Sequence, residues 1–63
     1  MNEEFIDKML KKLGETVRIL RNRKKLTQWE LARLAELDRS YLQKVESGKN
    51  VSVATVLSIC IAL

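Results

Sequence analysis

The amino-acid sequence predicts an all-α fold, a small bundle of four helices that forms one domain over all 63 residues. Apolar residues recur at intervals of three and four, which is the helical period. Strand signals are confined to β-branched residues near the C-terminus, and those residues keep helical spacing. The sequence contains no proline, and a residue that commonly caps helices precedes each of the four segments. A chain of this length buries only about 60% of its unfolded surface, so its core is small.

The first helix is predicted from about Glu3 to Lys24, with residues 1–12 as its N-terminal part. Asn2 precedes it as a capping residue. Its inward stripe steps by four and three through Ile6, Leu10, Leu13, Val17 and Leu20. Gly14 lies inside this helix and costs about 1 kcal/mol relative to alanine. The sequence therefore leaves open whether the helix is continuous or breaks at Gly14.

Two short helices are predicted next, joined by a tight turn. Thr27 and Glu30 have the spacing of a capping box, which indicates a helix from about Gln28 to Ala35. About three residues later, the Asp38 carboxylate is placed to cap a second helix, and Gly48 is placed to end it. Two short helices this close together are typical of a helix-turn-helix when the second has a basic, amide-bearing outer face.

The second of these helices separates into two faces at about 100° per residue. Leu42 and Val45 centre an apolar arc that predicts burial. The opposite arc carries only hydrogen-bonding side chains: Arg39, Ser40, Gln43, Lys44 and Ser47. Such an arc is ordinarily a solvated face, but the short helix just before it favours a contact face.

The last helix is predicted to follow Ser52, a natural N-cap, and to be apolar on nearly every side. Its apolar residues are Val53, Val56, Leu57, Ile59, Cys60, Ile61 and Leu63. We expect Cys60 to be a buried small hydrophobe, as free cysteines commonly are. A domain of this size cannot cover all of this helix. Two interpretations remain open, a sequence that continues beyond Leu63 and a helix that packs against a second copy, and we favour a dimer while expecting native sequence beyond Leu63.

Composition narrows the class of function. The net charge is +4. The segment from Arg18 to Lys49 contains nine basic and four acidic residues, and this basic surplus suits a polyanionic partner. The sequence has no histidine, one cysteine and two glycines, so no metal site, cofactor or catalytic group is expected. The acidic start of the chain, the lone cysteine and a longest apolar run of about eleven residues favour a cytoplasmic protein without a membrane span.

The segment LTQWELARLAELDRSYLQKVESGK resembles the lambda-repressor/Cro-type helix-turn-helix domain, whose members are DNA-binding transcriptional regulators. The matching residues are Thr27, Gln28, Leu31, Ala32, Ala35, Leu37, Leu42, Val45, Glu46 and Gly48. The similarity continues upstream through LGETVRILR and downstream through SVATVLSICIAL, and so covers about fifty residues. The stretch LDRSYL is also similar to the controller proteins of restriction–modification systems. Members of the family normally have a fifth helix, which often contributes to a dimer interface.

The resemblance implies that the helix spanning residues 39–47 enters the major groove of DNA. Base contacts are then expected from Arg39, Ser40, Gln43 and Lys44, and phosphate contacts from Thr27, Gln28, Tyr41, Ser47, Lys49 and Asn50. Arg39 can give two parallel donors to guanine. The resemblance further implies that Gln28 braces Arg39, the first residue of the recognition helix. Trp29 is expected on the exposed side of its short helix, where we favour packing over the end of the first helix rather than a contact with the sugar-phosphate strand.

The resemblance also implies a partly buried ion pair between Arg21 and Glu46, because Glu46 lies beside the apolar arc where an unpaired carboxylate is costly. At two positions the sequence departs from the family. Lys25 and Glu36 stand where glycine is usual, and a left-handed backbone there costs roughly 1 kcal/mol. The two alternatives are that this cost is borne or that the turns are remodelled.

The sequence thus predicts a sequence-specific double-stranded DNA-binding protein, a transcriptional regulator that binds a pseudo-palindromic operator as a homodimer. The alternative is a protein-interaction module, such as an antitoxin that binds a partner through the apolar last helix. A membrane-surface helix is disfavoured because the last helix has no charged face. The sequence indicates no operator, no effector, and neither repression nor activation.

Overall fold

The computed structural model describes residues 2–63, which form four helices and no strand. The helices are α1 (Glu3–Arg23), α2 (Gln28–Leu34), α3 (Arg39–Glu46) and α4 (Val53–Ala62). The predicted all-α class is confirmed. Each observed end lies within about two residues of its predicted position, which is the usual disagreement at helix termini. Ser47, predicted as the last residue of the third helix, is its C-cap.

Three of the four predicted N-caps make the expected hydrogen bond. The Asn2 side chain accepts from the Phe5 amide at 2.8 Å, and Ser52 accepts from the Thr55 amide at 3.1 Å. The capping box before α2 is complete, with Thr27 accepting from the Glu30 amide and the Glu30 carboxylate accepting from the Thr27 amide. These local bonds satisfy amides that have no partner within the helix.

The fourth N-cap, Asp38, corrects the prediction in part. Its backbone is extended, as an N-cap requires, but its carboxylate makes no capping hydrogen bond. The Tyr41 amide, which the carboxylate would cap, donates instead to the Asp38 carbonyl oxygen at 3.0 Å. The start of α3 is therefore defined by backbone geometry alone.

The hydrophobic core lies where α3 packs against α1 and α2, and where α2 packs against α4. Leu31 and Leu42 are fully buried, and Ala32 and Ala35 allow the neighbouring helices to approach α2 closely. The other buried apolar residues are Val17, Val45 and Ile59. The inward arc predicted for the third helix is confirmed. The inward stripe predicted for the first helix is confirmed only in part, because Val17 is buried whereas Ile6 and Leu20 are 41% and 37% exposed.

Helix α1 is continuous through Gly14, so the alternative of a break there is wrong. Gly14 is buried against the end of α3. A Cβ atom at this position would collide with the carbonyl oxygen of Val45 and lie 2.9 Å from that of Glu46. The glycine permits this close approach, and packing outweighs its low helix propensity.

Helices α1, α2 and α3 end in the same kind of turn. Lys25, Glu36 and Gly48 are left-handed, with φ of 59°, 57° and 84°. In each case the amide of the next residue donates to a carbonyl five residues back, from Leu26 to Arg21, from Leu37 to Ala32 and from Lys49 to Lys44. These are Schellman motifs. The conformational cost predicted for Lys25 and Glu36 is borne, and the turns are not remodelled.

Candidate nucleic-acid interface

The outer face of α3 is polar and accessible. Ser40, Gln43 and Lys44 are exposed, and Arg39 at the start of the helix is half-buried. Leu42 and Val45 lie on the opposite side in the core. The four residues predicted to contact bases therefore share one side of a short helix anchored by its other side.

Arg21 of α1 and Glu46 of α3 form an ion pair. The Arg21 Nε donates to Glu46 Oε2 at 2.7 Å, and the same guanidinium donates to Oε1 at 3.1 Å through Nη2. Its Nη1 donates to the Leu26 carbonyl at 2.8 Å. The two side chains are only 13% and 5% exposed. The fork of the guanidinium thus joins α1, the turn that follows it and the end of α3.

Gln28, the first residue of α2, connects this ion pair to Arg39 on the outer face of α3. Its Nε2 donates to Glu46 Oε1 at 3.1 Å, and its Oε1 accepts from Arg39 Nη1 at 3.4 Å. Only this orientation of the amide pairs its nitrogen with an acid and its oxygen with a base. The structure therefore brings together Arg21, Glu46, Gln28 and Arg39, which are far apart in the sequence.

Trp29 lies on the exposed side of α2, as predicted, but the packing role favoured for it is wrong. The side chain is 70% exposed, whereas Leu31 and Ala32 take buried positions of this helix. The guanidinium of Arg39 lies over the Trp29 ring, with its Cζ 5.1 Å from the ring centroid. This distance is within the range of a cation–π contact. Sequence spacing did not indicate the pair, since the two residues lie on different helices.

The residues expected to contact phosphates differ in whether their side chains already make hydrogen bonds within the protein. The Thr27 hydroxyl is an acceptor in the capping box, and the Ser47 hydroxyl donates its proton to the Gln43 carbonyl at 2.7 Å. Lys49 and Asn50 are exposed beyond the end of α3. They line one side of a cleft of about 620 Å³ whose other side is formed by the first turns of α1, including Glu3 and Asp7.

Tyr41 is half-buried on α3, next to α4. Its phenolic oxygen accepts a hydrogen bond from the Thr55 hydroxyl at 3.3 Å. That hydrogen bond holds the pKa of the Tyr41 phenol below its ordinary value. The phenol keeps its own proton as a donor while its oxygen is tied to α4.

Helix α4 presents a second accessible surface. Val53, Leu57 and Ile61 recur at intervals of four and are 75%, 57% and 86% exposed. Thr55 and Ile59 take the buried positions of this helix, and Cys60 is exposed. The expectation that Cys60 is buried is wrong, since α4 is apolar all round and its pattern did not mark which side faces the core.

The family model for helix-turn-helix domains matches residues 12–63. The chain belongs to this family. The resemblance stated from the sequence is thereby confirmed, and the chain is a helix-turn-helix DNA-binding domain of a family that is typically not enzymatic. Membership does not favour the interaction-module alternative and does not bear on a link to restriction–modification controllers.

No curated protein and no solved structure matches the chain significantly. Among residues 2–63, none of the helices has the length and apolarity needed to cross a membrane.

Proposed function

We propose that this helix-turn-helix domain binds double-stranded DNA in a sequence-specific manner and acts in the cytoplasm as a transcriptional regulator. The observation that carries the proposal is the exposed polar face of α3, whose first residue is joined through Gln28 to a buried ion pair. This connection to the core limits the positions that the Arg39 side chain takes before DNA arrives. Residues 39–47 then lie in the major groove.

Arg39, Ser40, Gln43 and Lys44 are the proposed base-contacting residues. The Arg39 guanidinium offers two parallel donors to O6 and N7 of guanine, and the Gln43 amide suits adenine. Ser40 and Lys44 reach adjacent bases. These four supply the sequence information of the interface, whereas contacts to phosphate determine where the domain sits on the duplex.

The proposed phosphate contacts flank the recognition helix at both ends. Thr27 and Gln28 lie at the N-terminus of α2, and Tyr41, Ser47, Lys49 and Asn50 lie along and beyond α3. Free amides at a helix start suit an anionic oxygen. The surplus of five bases between Arg18 and Lys49 adds attraction that does not depend on sequence.

We further propose that the domain acts as a homodimer on a pseudo-palindromic operator. The exposed stripe of Val53, Leu57 and Ile61 on α4 supports this, because a contiguous apolar stripe is costly to leave in water. Dimers of this kind place their recognition helices about one DNA turn, roughly 34 Å, apart. Analytical ultracentrifugation of the wild type and of Leu57→Ser tests the surface, and a dimer unaffected by the substitution would exclude it.

The test of the proposed function is selection of bound sequences from a random duplex pool. We expect a defined inverted repeat to be enriched, and absence of any enriched sequence would overturn the proposal. Two variants then separate readout from positioning in salt titrations on operator and scrambled duplexes. Arg39→Ala should lose about 1–3 kcal/mol on the operator alone, whereas Lys49→Ala should weaken both duplexes and lower the salt slope by about one unit per half-site.

A further inference from the structure

Trp29 is a large aromatic side chain on the surface, and the core does not explain it. It is the only tryptophan of the chain, and it is 70% exposed at the second position of α2. Its neighbours Leu31 and Ala32 do the packing of that helix. What the ring does contact is the guanidinium of Arg39, across the turn between α2 and α3.

The contacts of Arg39 come from two directions. Its Nη1 donates to Gln28 Oε1 at 3.4 Å, and its planar group lies over the Trp29 ring at 5.1 Å from the centroid. The first contact is long for a hydrogen bond, so on its own it restrains the guanidinium only weakly. The Trp29 ring supplies the second restraint. A cation–π contact needs no hydrogen-bond acceptor, so the N–H groups of Arg39 other than the one bonded to Gln28 remain available to donate.

We propose that Trp29 is a positioning residue for base readout, and that its ring keeps the Arg39 guanidinium in the orientation in which the free N–H edge meets a guanine. This inference rests on the proposed function. Arginine is among the side chains with the most rotamer freedom, and fixing it on binding costs affinity. A ring that orders it in the free protein lowers that cost, and only for duplexes on which Arg39 meets its base.

The Gln28 side chain is itself held in place by a hydrogen bond. Its amide nitrogen is bonded to Glu46, and Glu46 is paired with Arg21 in the core. Gln28 and Trp29 are consecutive residues of one capped helix, so ring and amide form a single rigid support for Arg39. A direct contact between Trp29 and the DNA strand is the competing role, and it predicts a different result.

The experiment compares Trp29→Ala and Trp29→Phe with the wild type on the selected operator and on a scrambled duplex. Trp29→Ala should weaken operator binding about three- to thirtyfold, the size of a partly desolvated cation–π contact, and change scrambled-duplex binding less than twofold. Trp29→Phe, which keeps an aromatic face, should restore most of the loss. Leu34→Ala is the matched control, because Leu34 is an exposed apolar residue of the same helix and lies about 140° around it from Trp29.

Two further measurements make the test specific to Arg39. In the Arg39→Ala background, Trp29→Ala should cause no additional loss on the operator. Without DNA, the Arg39 side-chain Nε–Hε resonance should carry a ring-current shift that disappears in Trp29→Ala, while the unfolding midpoint stays unchanged. Equal losses on both duplexes would assign Trp29 to the DNA strand and overturn the proposal, as would an operator preference that survives Trp29→Ala. A wild-type protein without sequence preference would instead overturn the proposed function itself.

Discussion

Two regions of the molecule differ in whether they contain glycine. One is the contact between α1 and α3, and the other is the pair of solvent-exposed turns that follow α1 and α2. Both glycines of the chain lie at the α1–α3 contact, Gly14 against the end of α3 and Gly48 against Lys11 of α1. The two exposed turns have left-handed backbones at Lys25 and Glu36 without glycine. Gly48 has the same kind of turn, yet a Cβ there would lie 2.8 Å from Lys11 Cγ and 3.1 Å from Lys11 Cα.

A left-handed backbone alone therefore does not require glycine in this molecule. The dihedral cost of roughly 1 kcal/mol is acceptable where the side chain extends into water. Glycine is required where a neighbouring backbone leaves no room for a Cβ. Changes at the α1–α3 contact should therefore be costly, and changes in the exposed turns small or even favourable.

The largest effect is expected at the ion pair of the α1–α3 contact. Arg21→Ala leaves the Glu46 carboxylate buried without its cation and frees the Leu26 carbonyl, which should cost about 3–5 kcal/mol. That is most of the stability of so small a domain. Chemical denaturation followed by circular dichroism measures it, with the exposed Arg23→Ala as the matched control. A midpoint equal to that of the wild type would show that the contact does not depend on the pair.

Gly14→Ala tests the closest approach between the two helices. The added Cβ collides with the Val45 carbonyl oxygen, which is backbone and cannot rotate away. After the gain of about 1 kcal/mol in helix propensity, we expect a net loss of about 2–3 kcal/mol in the free energy of unfolding. Thr16→Ala, at an exposed position of the same helix, is the control. An increase in stability for Gly14→Ala would mean that α1 and α3 lie further apart.

At Gly48 two features favour glycine, the left-handed backbone and the close approach of Lys11. Gly48→Ala adds a left-handed alanine and a contact with Lys11, so we expect a loss of about 1–2 kcal/mol. Combining it with Lys11→Ala removes the Cγ but leaves the Cα in place, and should restore only part of the loss. Full restoration would assign the whole steric cost to the lysine side chain.

Glu36→Gly should have the opposite sign. The substitution removes the strain at φ 57° in an exposed turn and should stabilise the domain by about 0.3–1 kcal/mol, after the added entropy of the unfolded chain. Lys25→Gly should behave alike, since its φ of 59° is nearly the same. Thermal unfolding of the three proteins measures both effects. Destabilisation by either change would show that the native side chain contributes more than its strain costs.

The smallest effect is expected from the capping box in the exposed turn before α2. Hydrogen bonds from Thr27, chiefly from its backbone amide, hold the pKa of the Glu30 carboxyl below its ordinary value. A depressed pKa contributes stability above the unfolded-state value of about 4.3, and this contribution is lost as the pH falls through the folded-state pKa. Unfolding of Glu30→Gln should therefore differ from the wild type near pH 7 and converge with it in acid. Glu15→Gln is the control, and a pH-independent difference would contradict the prediction.

Much of the fold could be predicted because its signals are local. The capping box of Thr27 and Glu30 and the apolar arc of α3 each depend on residues three or four positions apart. The candidate site was predictable to the same extent, since the exposed residues of α3 follow from one helical period. The bracing role of Gln28 and the pair of Arg21 with Glu46 came from resemblance to a family, because no local pattern joins residues 25 positions apart.

The sequence by itself determined the four helices, three of their four N-terminal caps and the polar face of α3, because hydrogen bonding and helical periodicity act over a few neighbouring residues. Only the tertiary structure decided the rest. It placed the Arg39 guanidinium over Trp29 and put Ile59 rather than Cys60 in the core. In each case the outcome depends on which atoms of another helix or turn occupy the available space, and packing at that scale is set only when the helices meet.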